Sequence, residues 1–303
     1  MTPKGVALLL NGLPSLRHVI YDVMSDVLTY VDFNTSEAVL PQFGLKTMLF
    51  HSMELLSSNH LELVTKLCPR VEWLSLDSAL FYNLEGLGHL PRLRLLRLNY
   101  KSRPIDQTVV DFFCNNGRNL DTLHMVEVKD LHVSDLYYTV GQCLALENLV
   151  LNDCSFRADW DHFTVASGGG SGGGNFKGKP LSQTAVHVQL LSVQILPGQL
   201  VDFLHLFPDL QILEMDRCDL DLNQVKRVLL NHPELHTLRC LHWTHTSAKN
   251  LSDLQLDFRN RKLQMNRKDF NFDSDPSAQT MAATLLADYA GISPLLNFDT
   301  LTV

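Results

Sequence analysis

One spacing recurs along almost the whole of this chain: an apolar residue followed by two more, three and five positions further on. Val71, Leu74 and Leu76 carry it within the run Cys68-Pro-Arg-Val-Glu-Trp-Leu-Ser-Leu-Asp77. The same spacing fits Leu16, Val19 and Tyr21, then Leu45, Met48 and Phe50, then Leu93, Leu96 and Leu98. It continues through Leu120, Leu123 and Met125, Leu146, Leu149 and Leu151, Leu210, Leu213 and Met215, and Leu235, Leu238 and Cys240. Val188, Leu191 and Val193 make a weaker copy. Most copies start about 22 to 29 residues apart, a period that implies one strand-turn-helix unit per copy and a solenoid rather than a closed globule. Each unit of such an array buries its apolar side only against its neighbours, so a chain of 303 residues reads as one continuous body.

Between the copies the apolar period changes to that of a helix. Residues 5–12 read as the helical half of a unit. Leu55, Leu56, Leu61, Leu63, Val64 and Leu67 line another helical face, and Pro69 ends it. Ile105, Val109, Val110, Phe112 and Phe113 form a third, which closes at Asn115-Asn116-Gly117, where glycine is expected to supply a positive φ. Residues 134–142 repeat the arrangement. Leu200, Val201, Phe203 and Leu204, then Leu222, Val225, Val228 and Leu229, give two more. Residues 83–89 carry two glycines and predict a loop or a brief helix. A final degenerate strand is expected at Leu251, Leu254 and Leu256, with the basic stretch 259–268 beside it.

The solenoid is therefore expected over residues 5–256. Residues 257–303 are expected to form a C-terminal cap or an interaction segment; from Ala278 to Val303 they hold no lysine or arginine. The run Ser167-Gly-Gly-Gly-Ser-Gly-Gly-Gly174 has no side chains able to build a core. It reads as an engineered linker, at 167–174, in place of a longer loop.

A net charge of -8 weighs against a general nucleic-acid binder. The six cysteines show neither paired metal spacing nor the density of a disulfide scaffold. Cys68 and Cys143 each precede a unit's first apolar position by three residues, and Cys154 and Cys218 each follow one by eight, so they read as small buried residues. A reducing location, cytoplasmic or nuclear, is expected. The apolar run Val6 to Leu10 is too short for a membrane span, and no membrane association is expected.

The phrases Cys68-Pro-Arg-Val-Glu-Trp-Leu-Ser-Leu, Leu120-Asp-Thr-Leu-His-Met, Cys143-Leu-Ala-Leu-Glu-Asn-Leu-Val-Leu-Asn-Asp-Cys154 and Phe207-Pro-Asp-Leu-Gln-Ile-Leu-Glu-Met-Asp-Arg-Cys218 resemble leucine-rich repeats of the cysteine-containing, ribonuclease-inhibitor-like kind. They are similar to the repeats of F-box substrate receptors. The resemblance implies an α/β leucine-rich-repeat solenoid, a horseshoe with a parallel inner sheet and a mainly helical outer face. It also implies a role in recognition, with a ubiquitin-ligase adaptor as one expected partner through a module amino-terminal to the array. Asparagine or cysteine does not follow every strand regularly, which departs from the family pattern.

Strand geometry then assigns the inner face. If Val71, Leu74 and Leu76 enter the core, Trp73, Ser75 and Asp77 point the other way. The same phase selects His18, Ile20 and Asp22; Thr47, Leu49 and His51; Leu95, Arg97 and Asn99; Thr122, His124 and Val126; and Asn148, Val150 and Asn152. It ends with Ile212, Glu214 and Asp216, then Thr237, Arg239 and Leu241. This mixed surface suits a protein or peptide better than a small metabolite. Asp22, Trp73, Asp77, Arg97, His124, Glu214, Asp216 and Arg239 are the expected partner-binding residues, with Trp73 as the principal anchor. Exposed solenoid ends also permit a homodimer.

No catalytic, cofactor or metal site is expected. Cys240, His242 and His245 invite a zinc reading, yet Cys240 already fills a core position and the spacing is not a standard one. No nucleophile elbow or phosphate loop accompanies the thirteen histidines, so a non-catalytic protein is expected. The run Arg259-Asn-Arg-Lys-Leu-Gln-Met-Asn-Arg-Lys268 reads as a solvated edge that could also meet an acidic protein, a phosphoinositide surface or nucleic acid.

Overall fold

The computed structural model describes residues 2–19, 21, 23–34, 41–50, 56–77, 84, 87–157, 182–195, 199–218, 222–241, 258 and 262–266. Among the described residues nine strands form a single sheet in sequence order: β1 (Thr47–Phe50), β2 (Trp73–Leu76), β3 (Leu95–Arg103), β4 (Thr122–Val128), β5 (Asn148–Asn152), β6 (His187–Leu191), β7 (Ile212–Asp216), β8 (Thr237–Leu241) and β9 (Lys262–Asn266). Every pairing is parallel. The described residues also form α-helices α1 (Pro3–Gly12), α2 (Met24–Asn34), α3 (Ser58–Leu67), α4 (Gln107–Asn116), α5 (Val133–Thr139), α6 (Gln199–Leu204) and α7 (Leu222–Asn231). A parallel sheet needs a crossover between consecutive strands, and helices supply most of them. The result is an α/β protein whose serial units are consistent with a repeat, solenoid-like architecture.

The recurrent apolar spacing is what builds the core. Leu45, Met48 and Phe50 are buried, as are the triples that begin at Val71, Leu93, Leu120, Leu146, Leu210 and Leu235, and all belong to one continuous cluster. Helical residues join the same cluster, among them Leu61, Val64 and Leu67 of α3 and Phe112 and Phe113 of α4. Local chemistry sets the helix starts. Ser57 Oγ accepts from His60 N while His60 Nδ1 accepts from Ser57 N, and Asp106 Oδ1 accepts from Val109 N at 3.1 Å.

Several expectations are corrected. Val188, Leu191 and Val193 are three residues out of phase. Val188 pairs with Leu149 and Leu213, and Leu190 with Leu151 and Met215, so the true triple is Ala185, Val188 and Leu190. Ala185 is fully buried at the first position, where a larger residue was sought. The described residues 16–19 and 21 form no strand, although the Arg17 carbonyl accepts from Lys46 N at 2.8 Å and Leu16, Val19 and Tyr21 pack against the core. Gly117 has φ -62, because α4 runs straight into a 3₁₀ turn, Gly117–Asn119. The approach there is close: a Cβ would lie 3.1 Å from the Gln142 carbonyl oxygen, so a side chain would require that neighbour to shift by a few tenths of an ångström. Helix α2 had no counterpart in the sequence reading, and β9 comes from the stretch assigned to a basic edge. The degenerate strand sought at 251–256, the linker 167–174 and most of 257–303 lie outside the described residues.

The units also share their exits from the sheet. Glu127, Asp153, Ser192 and Arg217 each follow the last face residue of a strand, and each has φ 53. Three residues beyond the last core position of the strand come Val128, Cys154, Val193 and Cys218, all buried. The two thiols reach back to the preceding strand: Cys154 Sγ donates to Met125 O at 3.6 Å and Cys218 Sγ to Leu190 O at 3.4 Å. Left-handed backbone costs a residue with a side chain roughly 1–2 kcal/mol, offset in part by the lower chain entropy it brings relative to glycine. Ser192→Gly and Arg217→Gly are therefore each expected to stabilise the fold by about 0.5–1 kcal/mol in urea unfolding. A loss of stability in both would show that their side chains, not the backbone, decide these turns.

Candidate interaction face

Register turns the alternate residues of the strands into rows on the side of the sheet away from the helical core. One row runs Thr47, Trp73, Leu95, Thr122, Asn148, His187, Ile212, Thr237, Lys262. The next runs Leu49, Ser75, Arg97, His124, Val150, Gln189, Glu214, Arg239. In a third row Asn99, Val126, Asn152, Leu191, Asp216 and Leu241 follow one another across β3 to β8. Trp73, Arg97, His124, Glu214, Asp216 and Arg239 thus all fall on one face, and Asp77 directly follows β2 in the phase of the third row. Asp22 lies outside the described residues.

Two polar networks flank the middle of this face. On β2 to β4, Arg97 pairs with Asp77 at 3.1 Å, Asn99 Nδ2 donates to Asp77 Oδ1 at 2.6 Å, and Lys101 lies 3.6 Å from Asp77 and 3.7 Å from Glu127. Lys101 reaches both carboxylates because β3 bulges between Asn99 and Arg103, with Lys101 and Ser102 at positive φ. On β6 to β8, Glu214 accepts from Gln189 Nε2 at 3.0 Å and pairs with Arg239, while His187 lies 3.8 Å away. Pairs exposed to this degree add less than about 1 kcal/mol each. Their effect is to hold long side chains in fixed rotamers. His187 and Gln189 were missed in the sequence because the phase error at β6 assigned them to no face; the 25-residue step from residue 185 to 210, equal to the next step, carries the correct signal.

Burial on this face is greatest along β4, and Ser75, Asn99 and Asp216 on other strands are buried as well. Thr122, His124, Val126 and Val150 are all buried, yet neither Val126 nor Val150 belongs to the helical core cluster. His124 Nε2 is buried with no hydrogen-bond partner. Burial, reinforced by the neighbouring Arg97 guanidinium and opposed by Asp77, lowers the His124 pKa to about 3. This imidazole is neutral at physiological pH. Trp73 is half-buried between Thr47 and Leu95.

The face offers hydrogen bonds, paired charges and apolar patches. Among the described residues no group of three or more His, Cys, Asp or Glu side chains is placed to share a metal ion. Cys240 is a core residue whose thiol is pushed up by burial; His242 and His245 lie outside the described residues. The Cys68 thiol is likewise raised to about 12 and that of Cys218 to about 11, which keeps both protonated and unreactive. No helix among the described residues is long and apolar enough to cross a membrane. Comparison with protein-family models and with curated protein sequences finds no match to this chain.

The buried imidazole fixes a pH dependence. An unfolded chain binds a proton at His124 near pH 6.5, and the folded protein does so only near pH 3, so stability falls as pH drops through that window. His18 and His187 are also lowered, chiefly by burial, and act with the same sign. Urea unfolding is expected to show about 1.5 kcal/mol lost through His124 between pH 6.5 and pH 5. His124→Phe should remove that part of the slope; an unchanged slope would assign the proton uptake to other groups.

Proposed function

We propose that this protein is a non-catalytic recognition protein, a leucine-rich-repeat solenoid that holds another protein or an extended peptide on the inner face of its sheet. The observation that carries the reading is the in-register stacking of face residues across nine parallel strands. It places Trp73, Arg97, His124, Glu214 and Arg239 in two adjacent rows, with their charges held by cross-strand partners. Such a surface is ordered before a partner arrives, which lowers the entropy cost of association. Trp73 supplies the aromatic anchor beside Leu95, and Arg97 and Arg239 mark the polar flanks.

The recurrent thiol position at Cys154 and Cys218, and the repeat phrases that end in them, favour a finer reading as a cysteine-containing, ribonuclease-inhibitor-like array. In that reading the protein acts as a substrate receptor of a ubiquitin ligase in the cytoplasm or nucleus, and its adaptor would be bound through a region other than the sheet face.

The test uses quantitative mass spectrometry of proteins captured from cell extract by the wild-type chain and by a Trp73→Ala/Arg97→Ala double variant, followed by titration of the purified partner. Binding at least 10-fold weaker in a variant of unchanged thermal midpoint is expected, equivalent to about 1.4 kcal/mol. Equal affinity for both proteins would remove the inner face as the binding surface. Recovery of a ubiquitin-ligase adaptor that both proteins capture equally would support the receptor reading.

A further inference from the structure

Within the polar network on β6 to β8, the chemistry of the partners fixes the direction of one contact. A carboxylate only accepts, so the Gln189 side-chain atom 3.0 Å from Glu214 Oε2 is the amide nitrogen. The same nitrogen lies 3.3 Å from His187 Nε2. An amide nitrogen only donates, so His187 Nε2 accepts there and the ring carries its proton on Nδ1. Gln189 thus directs its two side-chain N–H bonds to two neighbours, the imidazole of His187 and the carboxylate of Glu214.

That arrangement suits a neutral imidazole only. A proton gained at Nε2 would set a donor against the Gln189 donor, and the two would separate. The new N–H has an acceptor within reach, because Glu214 Oε1 lies 3.8 Å from His187 Nε2. Glu214 Oε1 is also the oxygen that pairs with Arg239. A protonated His187 and Arg239 therefore compete for one atom.

Among the described residues, the charges that face His187 are those of Glu214 and Arg239. On β5, Asn148 and Val150 stand beside β6 and carry no charge. On β7, Ile212 lies opposite His187 and Glu214 opposite Gln189, and on β8 Arg239 lies opposite Glu214. Asp216 lies one row further along β7 and is buried. The His187 and Glu214 side chains are 15% and 21% exposed, so solvent protons reach a pair that is still partly shielded from water. Burial lowers the His187 pKa, Glu214 raises it and Arg239 lowers it, with burial the largest effect, so proton uptake falls below pH 6.5.

We propose that His187, Gln189 and Glu214 form a proton-operated latch at the β6 to β8 end of the inner face. With His187 neutral, Gln189 bridges it to Glu214, and Glu214 pairs with Arg239. With a solvent proton on Nε2, His187 pairs with Glu214, the ring releases the Gln189 amide, and Glu214 Oε1 is drawn from Arg239. This end of the face then gains one positive charge. The latch itself needs no partner; its consequence, a tighter hold on a partner's carboxylate in acid, rests on the recognition role proposed above.

Long-range proton–nitrogen correlation NMR of the isotope-labelled full chain, with His187 assigned by its loss in His187→Asn, reads the ring tautomer directly. The Nδ1–H tautomer is expected at pH 8. On acidification both ring nitrogens should become protonated below pH 6.5, and the Gln189 side-chain amide should shift with the same midpoint. Glu214→Gln should lower that midpoint and Gln189→Ala should raise it, each by about half a pH unit or more. An Nε2–H tautomer at pH 8 would overturn the proposal without recourse to any variant that alters the network. A Gln189 amide indifferent to the titration, or a midpoint that Glu214→Gln leaves in place, would overturn it too. No partner enters the measurement, so its failure would leave the recognition reading standing, and a failure of that reading would leave the latch.

Discussion

Column packing across the sheet is the interaction on which everything else rests. Leu74, Leu96, Leu123, Leu149, Val188, Leu213 and Leu238 occupy one register position on successive strands, and each is fully buried. Leu76, Leu98, Met125, Leu151, Leu190, Met215 and Cys240 form a second column beside it. A slip of one residue at any strand would move both of its core side chains to the opposite face, at about 2 kcal/mol or more for each large apolar residue exposed. Register is therefore set by the apolar columns, and the face residues between them have no freedom to be elsewhere.

That dependence explains which parts of the architecture could be read from the sequence. Seven apolar triples identify seven of the nine strands because large aliphatic residues repeat at fixed offsets and leave little ambiguity. At β6 the first position is Ala185, too small to stand out between Thr184 and Val186, and the large apolar residues fit the spacing three positions late, at Val188, Leu191 and Val193. At β9 the residues in register with Leu238 and Cys240, Leu263 and Met265, lie in a sequence rich in arginine and lysine, so composition masked a short period-two pattern. Helix α2 escaped notice because Ser25, Asp26, Thr29 and Asp32 break up its apolar face, although Val27, Leu28 and Val31 are buried. Gly117 shows a different failure: a helix-ending glycine suggests left-handed backbone, whereas this one answers a close approach by Gln142.

The candidate face was legible as a list of residues but not as an arrangement. Periodicity places Arg97, His124 and Glu214 on one side of the sheet. It does not reveal that Asp77 is shared by Arg97, Asn99 and Lys101, since the Lys101 contact depends on a bulge that no residue of β3 announces. It also gives no warning that His124 is buried, because its cover comes from neighbours distant in sequence. The charges expected to greet a partner are largely engaged already, so in the proposed role recognition would rest more on shape and on exchange of existing pairs than on uncompensated charge.

The pairing of β5 with β6 carries a consequence for what holds the strands in line. Asn148 to Asn152 align with His187 to Leu191 residue for residue, as at other strand pairs, although the intervening chain is much longer than elsewhere. Alignment there is set by the side chains of the two strands rather than by the length of chain between them. Registry of the two strands is thus carried by their own packing, and a long crossing leaves it the same as a short one.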